Sequence, residues 1–351
     1  MRARTPVALA LLVTMAGCSG TVDDARPSPS VGGAIDEPTV VEPTTDLLDW
    51  NDDGVPRGTR VRGQDWQGLV SEDGSTADVA SIRNQITFAA GPGRRISELL
   101  MSEDWAVVVR QDEAETRPSE VDVVDLSTGD RTSLAGPEPA SGGSWALTGG
   151  DLYYPTYGED RAYCLATSAL ADSNGEDGWC APDATGFSNL TASEHGVGMM
   201  TFDDARPVAC RTVNLLDGSG LPQPVEGPAD CIAWDVAATA DGAVWSEVPK
   251  PRRQEEAVFR ASADGRFFDL GPGTTGTALP CGDSVFFVRD PRGPDDPARL
   301  MRWTPDHTLE IAYESPSTGN VFLGEPTCGG GVVSLPSYGE EGDELVWANV
   351  P

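Results

Sequence analysis

The sequence predicts an all-β protein, a β-propeller of six blades with seven as the alternative, and three observations carry that expectation. A short phrase recurs, made of a turn with Gly or Asp, a run of apolar residues and then a polar loop. Its copies begin at Asp104, Gly150, Gly196, Gly242, Gly282 and Gly330. The spacing of about 46 residues is the length of chain that one four-stranded blade consumes. Between the copies, apolar residues alternate around Gly-bearing turns, which is the mark of hairpins. No stretch shows the helical apolar spacing of a convincing amphipathic helix.

Taken in order, each copy reads as the innermost strand of a blade. The strands are Trp105-Ala106-Val107-Val108-Val109, Leu152-Tyr153-Tyr154, Val197-Gly198-Met199-Met200, Ala243-Val244-Trp245, Val285-Phe286-Phe287-Val288 and Val332-Val333-Ser334-Leu335. A polar loop, a second strand, a turn and a third strand follow. The first blade shows them as residues 121–126, Ser127-Thr128-Gly129-Asp130 and residues 131–134; the fourth as residues 257–261, Ser262-Ala263-Asp264-Gly265 and residues 266–271. The fifth blade repeats this with residues 300–303 and 308–313. The last copy leaves room for two strands before Pro351, so its outer strands must be donated from the N-terminal side. Ile86-Thr87-Phe88-Ala89-Ala90 and Thr59-Arg60-Val61-Arg62 are the natural donors, and joining both termini in one ring removes an exposed sheet edge. Seven blades follow instead if residues 50–95 hold a complete blade around Trp66 and Leu69-Val70.

Seven cysteines occur. Cys164 stands as far beyond Gly150 as Cys210 stands beyond Gly196, and Cys180 and Cys231 follow them at comparable intervals. Six cysteines allow about 15 pairings, but the repeat selects among them. Equivalent placement predicts Cys164–Cys180 and Cys210–Cys231, and Cys281–Cys328 then joins the innermost strands of neighbouring blades. Cys18 is left over. A cysteine-rich metal site is disfavoured, because no Cys-x-x-Cys occurs and the chain has two histidines.

The N-terminus reads as an address. Arg2 and Arg4 precede an apolar run from Val7 to Met15 and the small residues Ala16 and Gly17. The run is too short to span a bilayer. Met15-Ala16-Gly17-Cys18 resembles the lipobox of bacterial lipoproteins, with Met where the family usually has Leu. That resemblance implies a signal peptide over 1–17 and a lipid such as palmitate on Cys18. It also implies anchorage to the outer face of the cell membrane. Residues 18–46, rich in Pro, Thr, Ser, Glu and Asp, read as a disordered tether, with 47–351 as the propeller. A tether of that size has a root-mean-square reach of about 30 Å.

A net charge of −32 argues against a nucleic-acid partner and against docking of the folded domain on anionic lipid. The blade pattern resembles the broad class of six- to seven-bladed extracytoplasmic propellers, the TolB-like group among them, on phrases such as Val124-Asp125-Leu126-Ser127-Thr128-Gly129. The resemblance implies architecture and carries over no functional residue. Two candidate faces remain. Acidic loops follow the copies: Asp112, Glu113 and Glu115; Glu159 and Asp160; Asp203 and Asp204; Glu255 and Glu256; Asp295 and Asp296; Glu340, Glu341 and Asp343. On one rim they would focus a negative potential suited to a cationic peptide, a polyamine or Ca²⁺. Interspersed arginines dilute that field. The opposite face, where each blade hands over to the next, would present Glu98, Trp145, Asn189, Trp234, Asp235 and Glu325.

Asn51-Asp52-Asp53-Gly54 has the look of a Ca²⁺ loop fragment but reads better as a turn, so no cofactor is expected. His195 and His307 fall in turns, where exposure is expected, and no nucleophile constellation is visible. The expected function is therefore a monomeric, non-catalytic binding or scaffold module for a protein or glycan partner at the cell envelope. The alternative is a carboxylate-dependent hydrolase or lyase acting on envelope glycans, marked by two buried carboxylates facing each other at a channel mouth.

Overall fold

The alternating apolar pattern folds into strands almost throughout. The computed structural model describes residues 37–351, apart from residues 173, 204–208, 251–252 and 254–255. The expected signal peptide and lipid-bearing Cys18, with Asp204 and Glu255, lie outside the described residues. Three short strands come first: β1 (Thr39–Val40), β2 (Thr44–Thr45) and β3 (Asn51–Asp52). An antiparallel sheet follows, built from β4 (Thr59–Arg62), β5 (Trp66–Val70), β6 (Thr76–Ser81) and β7 (Gln85–Ala89). Next come β8 (Arg94–Met101), β9 (Trp105–Asp112), β10 (Glu120–Asp125) and β11 (Arg131–Ser133). The third set is β12 (Ala146–Thr148), β13 (Asp151–Tyr157), β14 (Tyr163–Ala169) and β15 (Asn174–Cys180). The fourth is β16 (Thr185–Ser193), β17 (Gly196–Asp203), β18 (Cys210–Leu216) and β19 (Pro222–Pro224).

The fifth set is β20 (Ala233–Thr239), β21 (Gly242–Glu247), β22 (Ala257–Ala263) and β23 (Arg266–Gly273). The sixth is β24 (Leu279–Cys281), β25 (Ser284–Arg289), β26 (Pro297–Trp303) and β27 (Leu309–Thr318). The chain closes with β28 (Phe322–Leu323), β29 (Thr327–Gly329), β30 (Val332–Tyr338) and β31 (Glu344–Asn349). Each set packs on the next, and β29 and β30 return to β4, so the sheets form a ring.

The ring corrects the expectation of six blades, and that of seven as the alternative. Five sheets of four or five strands stand alone as blades, and the rest of the ring is one nine-stranded sheet. Within it, the β8–β11 half and the β29–β31 half meet at a single parallel pair, Gly329 with Met101. Residues 59–89 hold a complete sheet around Trp66 and Leu69-Val70, one of the five that stand alone. The strand donated to the last repeat is therefore β3, which pairs with β31, and not residues 59–62 or 86–90.

A second correction concerns which strand is innermost. β8, β12, β16, β20, β24 and β29 touch one another around the axis, even between non-adjacent sheets such as β16 and β24. The recurring phrase is the second strand, as in β9, β13, β17, β21, β25 and β30. The reason is burial. A second strand is covered on both faces by neighbouring sheets, so Val107, Val108 and Val109 are all fully buried, and the run becomes continuously apolar. An innermost strand has one side on the channel and tolerates polar residues.

The third correction follows from register. β8 begins at Arg94 opposite Asp112, where β9 ends, and β16 begins at Thr185 opposite Asp203, where β17 ends. The acidic loops and the handovers into the innermost strands thus share one end of the ring, here the loop face, and are not on opposite faces. Residues 37–46 also differ from the expected tether. β1 and β2 add parallel fifth strands to β23 and β27. Extended Thr and Val residues here complete the outer edges of two sheets.

All three expected disulfides form: Cys164–Cys180, Cys210–Cys231 and Cys281–Cys328. Apolar clusters fill six of the junctions between neighbouring sets. The junction between β29–β31 and β4–β7 is polar instead. There Asp53 pairs with Arg60 at 2.7 Å and Arg62 at 3.0 Å. The Arg62 guanidinium lies 4.5 Å over the Trp347 ring, and Thr327 Oγ1 donates to the Arg60 carbonyl at 2.6 Å.

Candidate functional site

Three of the innermost strands carry a local irregularity at which polar residues fall. β8 has a register shift between Ile96 and Glu98, β16 between Ser188 and Thr191, and β20 between Ala233 and Val236. A bulge re-aims side chains and ends regular pairing, as it often does beside binding sites. Glu98, Asn189, Trp234 and Asp235 fall at these shifts, and Asn189 sits at φ 52°, a left-handed conformation that asparagine tolerates. Side chains then replace main-chain pairing between the innermost strands of neighbouring sheets. Asn189, Thr191 and Ser193 on β16 donate to the carbonyls of Trp234, Val236 and Ala238 on β20, at 3.3, 2.6 and 3.3 Å. The period of two along both strands is the pleat repeat.

Three carboxylates come together electrostatically at this level. Burial pushes Glu98 up to about 7, with the charge of Glu325 adding to it and Arg95 opposing it. Burial likewise raises Asp235 to about 6, against hydrogen bonds from Ser246 and Gly276, and Glu325 again adds to the effect. Asp235 accepts from Ser246 Oγ at 2.7 Å and from Gly276 N at 2.9 and 3.0 Å, which fixes its rotamer. Water reaches Glu325, yet protein crowds it closely enough that burial raises its carboxyl too. Glu98 on β8 and Glu325 just before β29 flank the junction within the nine-stranded sheet, Asp235 comes from β20 of another sheet, and the charge of Glu325 acts on both.

The other candidates separate. Trp145 is core, 6 % exposed and stacked on Tyr154 with ring centres 5.2 Å apart. Trp234 is half-buried under the Arg211 guanidinium, 4.5 Å from its ring. Of the acidic rim, Asp112 is buried and organises its own loop. The Thr116 amide, then Arg117, hold its carboxyl far below the usual range. Glu256 is paired with Lys250 and Arg253, and Asp296 lies 4.0 Å from Arg299. Asp203 is engaged as well. Glu113, Glu115, Glu159, Asp160, Asp295, Glu340, Glu341 and Asp343 remain on the loop face, most of them exposed. Asn51-Asp52-Asp53-Gly54 is a strand and turn, with Gly54 N donating to Asp52 Oδ1 at 2.7 Å and Asp53 spent on arginines.

The two histidines differ from expectation, since each side chain is only 19 % exposed. His307 Nε2 lies 2.6 Å from Asp241 Oδ2 while Arg266 Nη2 approaches Nδ1 at 3.3 Å. A guanidinium can only donate, so Nδ1 accepts and Nε2–H donates to Asp241. Both nitrogens are thereby occupied, although Asp241, Asp264 and His307 have ligand atoms within 4.8 Å of one another. Glu194, His195 and Asp283 form a second such group at the turn end of the channel. There the Asp283 hydrogen bond, and then its charge, raise Glu194. Residue type and spacing give no signal for either cluster, because each joins turns of different sheets.

No protein-family model matches the chain. No curated protein matches it either. Solved structures do resemble it. The β-propeller domain of the Trilobed protease from Pyrococcus furiosus superposes with TM-score 0.58 at 10 % identity, covering 84 % of this chain and 96 % of that one. An oligogalacturonate lyase in complex with manganese gives 0.51 at 11 %, covering 89 % and 98 %. A prolyl endopeptidase gives 0.52 at 14 %, covering 83 % of this chain but 45 % of that one. At such identities the likeness establishes the propeller fold and nothing about chemistry.

Proposed function

We propose that this chain is an extracytoplasmic binding propeller that receives a cationic group of an envelope protein or glycan at the loop-face mouth of its channel. The observation that carries the reading is the charge of Glu325 acting on both Glu98 and Asp235, which come from different sheets and are each placed by a bulge. Raised carboxyls indicate negative charge confined where water screens it poorly, and a bound cation relieves that cost. Three disulfides favour an oxidising compartment. The lipobox-like Met15-Ala16-Gly17-Cys18 supports lipid anchorage to the outer face of the cell membrane, and the exposed acidic loops would steer a basic partner inward.

A specific observation also favours a second reading. A carboxyl near 7 beside another carboxylate is the arrangement of a general acid, as in a glycan hydrolase or lyase. One experiment separates the two. Envelope proteins and glycans are captured on the lipidated protein and on its Glu98→Gln/Glu325→Gln variant, and released products are measured alongside. Capture lost without any turnover in the wild type supports binding, whereas turnover abolished with capture retained supports catalysis. Capture and turnover both untouched by the substitutions would remove the channel mouth from consideration.

A further inference from the structure

A second feature of the loop face has the opposite charge. Arg289, at the end of β25, spends Nε on the Pro272 carbonyl at 2.9 Å and Nη2 on the Leu270 carbonyl at 2.8 Å. Arg292 follows in the next loop. Among the described residues, no carboxylate lies within ion-pair distance of either guanidinium, and Arg292 has no side-chain partner. Both line a cleft of about 480 Å³ together with Pro272, Gly273, Pro291, Asp290 and Glu256. The two acids of that lining are already engaged: Asp290 by Thr274 Oγ1 at 2.5 Å, and Glu256 by Lys250 and Arg253. Arg289 is half-buried and, among the described residues, has no carboxylate within ion-pair distance, which is costly, and an anion entering the cleft reduces the cost.

We propose that this cleft, between the end of β23 and the β25–β26 loop, binds a carboxylate group through Arg289 and Arg292. A singly charged carboxylate fits better than a doubly charged phosphate, because Asp290 and Glu256 stand at the same walls and repel the extra charge. The planar fork of Arg292 matches the two carboxylate oxygens, while Arg289, its Nε and Nη2 turned to carbonyls, adds charge and Nη1. Burial, then the nearby Arg299 and Arg292, lower Arg289 only to about 10, so it stays charged at neutral pH. Glu42 opposes that shift from beyond ion-pair distance. The site is independent of the channel carboxylates, and its binding should not change between mildly acidic and mildly alkaline pH.

The test is calorimetric titration of the full chain with N-acetylglycine, with D-galacturonate and with N-acetylglycinamide. The first two present a carboxylate on a peptide and on a sugar scaffold, and the tighter of them identifies its source. The expected result is saturable binding of at least one carboxylate, none of the amide, and a loss of about tenfold or more in Arg292→Gln. Arg289→Gln should weaken binding further, and if that variant fails to fold, Arg292→Gln still decides. Equal binding of amide and carboxylate, no binding of either acid, or affinity unchanged in Arg292→Gln would overturn the proposal. A wild-type gain of affinity on acidification through neutral pH, where the channel carboxyls take up protons and repel an anion less, would instead assign the heat to the channel mouth and overturn the proposal.

Discussion

Substituting Glu98 by Gln should stabilise the protein, and only above the pH at which the native carboxyl ionises. Burial and the neighbouring Glu325 raise Glu98 from 4.5 to about 7. The folded state therefore holds a proton that the unfolded chain releases. The contribution of Glu98 is fully favourable below about 4.5 and is lost as pH rises through about 7. The difference is worth about 3.4 kcal/mol at roughly 1.36 kcal/mol per pH unit, and about 2 kcal/mol after discounting for channel water. Glutamine has the shape of the protonated acid and carries no such term. In urea titrations of wild type and E98Q, the two should be alike at about pH 4.5, and E98Q should be more stable by about 2 kcal/mol at about pH 8.5. Equal stability at both pH values, or a gain that shrinks as pH rises, would refute a crowded channel carboxylate.

Replacing Cys281 and Cys328 by Ser opens a loop with a sequence separation of 47. In the chain-entropy model this costs about 4 kcal/mol, against about 3 for the shorter Cys164–Cys180 bridge, and denaturant midpoints of the two variants should rank accordingly. Asp122→Ala leaves Arg110 and Arg131 without the buried carboxylate they reach at 2.7 and 2.8 Å, and should cost about 3 kcal/mol by the same measurement. The polar junction at Asp53 should open before the six apolar ones. Hydrogen exchange should show β4 and β31 losing protection first, and Arg62→Ala should widen that difference. Trp50→Ala removes an indole that donates to the Ala312 carbonyl at 2.7 Å and packs edge-on against Tyr313. Limited proteolysis within residues 37–53 should accelerate while the sheets stay intact.

Periodicity makes the propeller and the disulfides legible, because a blade is a local unit and Cys164 and Cys210 hold the same place in two of them. The same signal misassigns the strands. Val107-Val108-Val109 is the most apolar run since two sheets cover it, and burial of that kind mimics a central position. With that offset, Glu98, Asn189, Asp235 and Glu325 are read onto the face opposite the acidic loops, whereas the register puts both at one end of the ring. Residues 59–89 are hard to count because Arg60 and Arg62 interrupt the apolar alternation at the polar junction and Gly68 interrupts it where β5 packs on Leu99 and Met101. The histidine clusters and the Arg289 cleft are invisible in the sequence, because they are assembled from turns and loops of different sheets.

The N-terminal segment runs along the rim of the ring, adding β1 to β23, β2 to β27 and β3 to β31 in turn. Arg302 grips it midway through Asp46 at 2.9 Å. A pull on the N-terminal end would not load these attachments together. It would peel β1 first, then β2 with its ion pair, and only then reach Trp50 and β3. Two attachments would yield in series, each lengthening the chain and absorbing work, before the strand that completes the last sheet felt the strain.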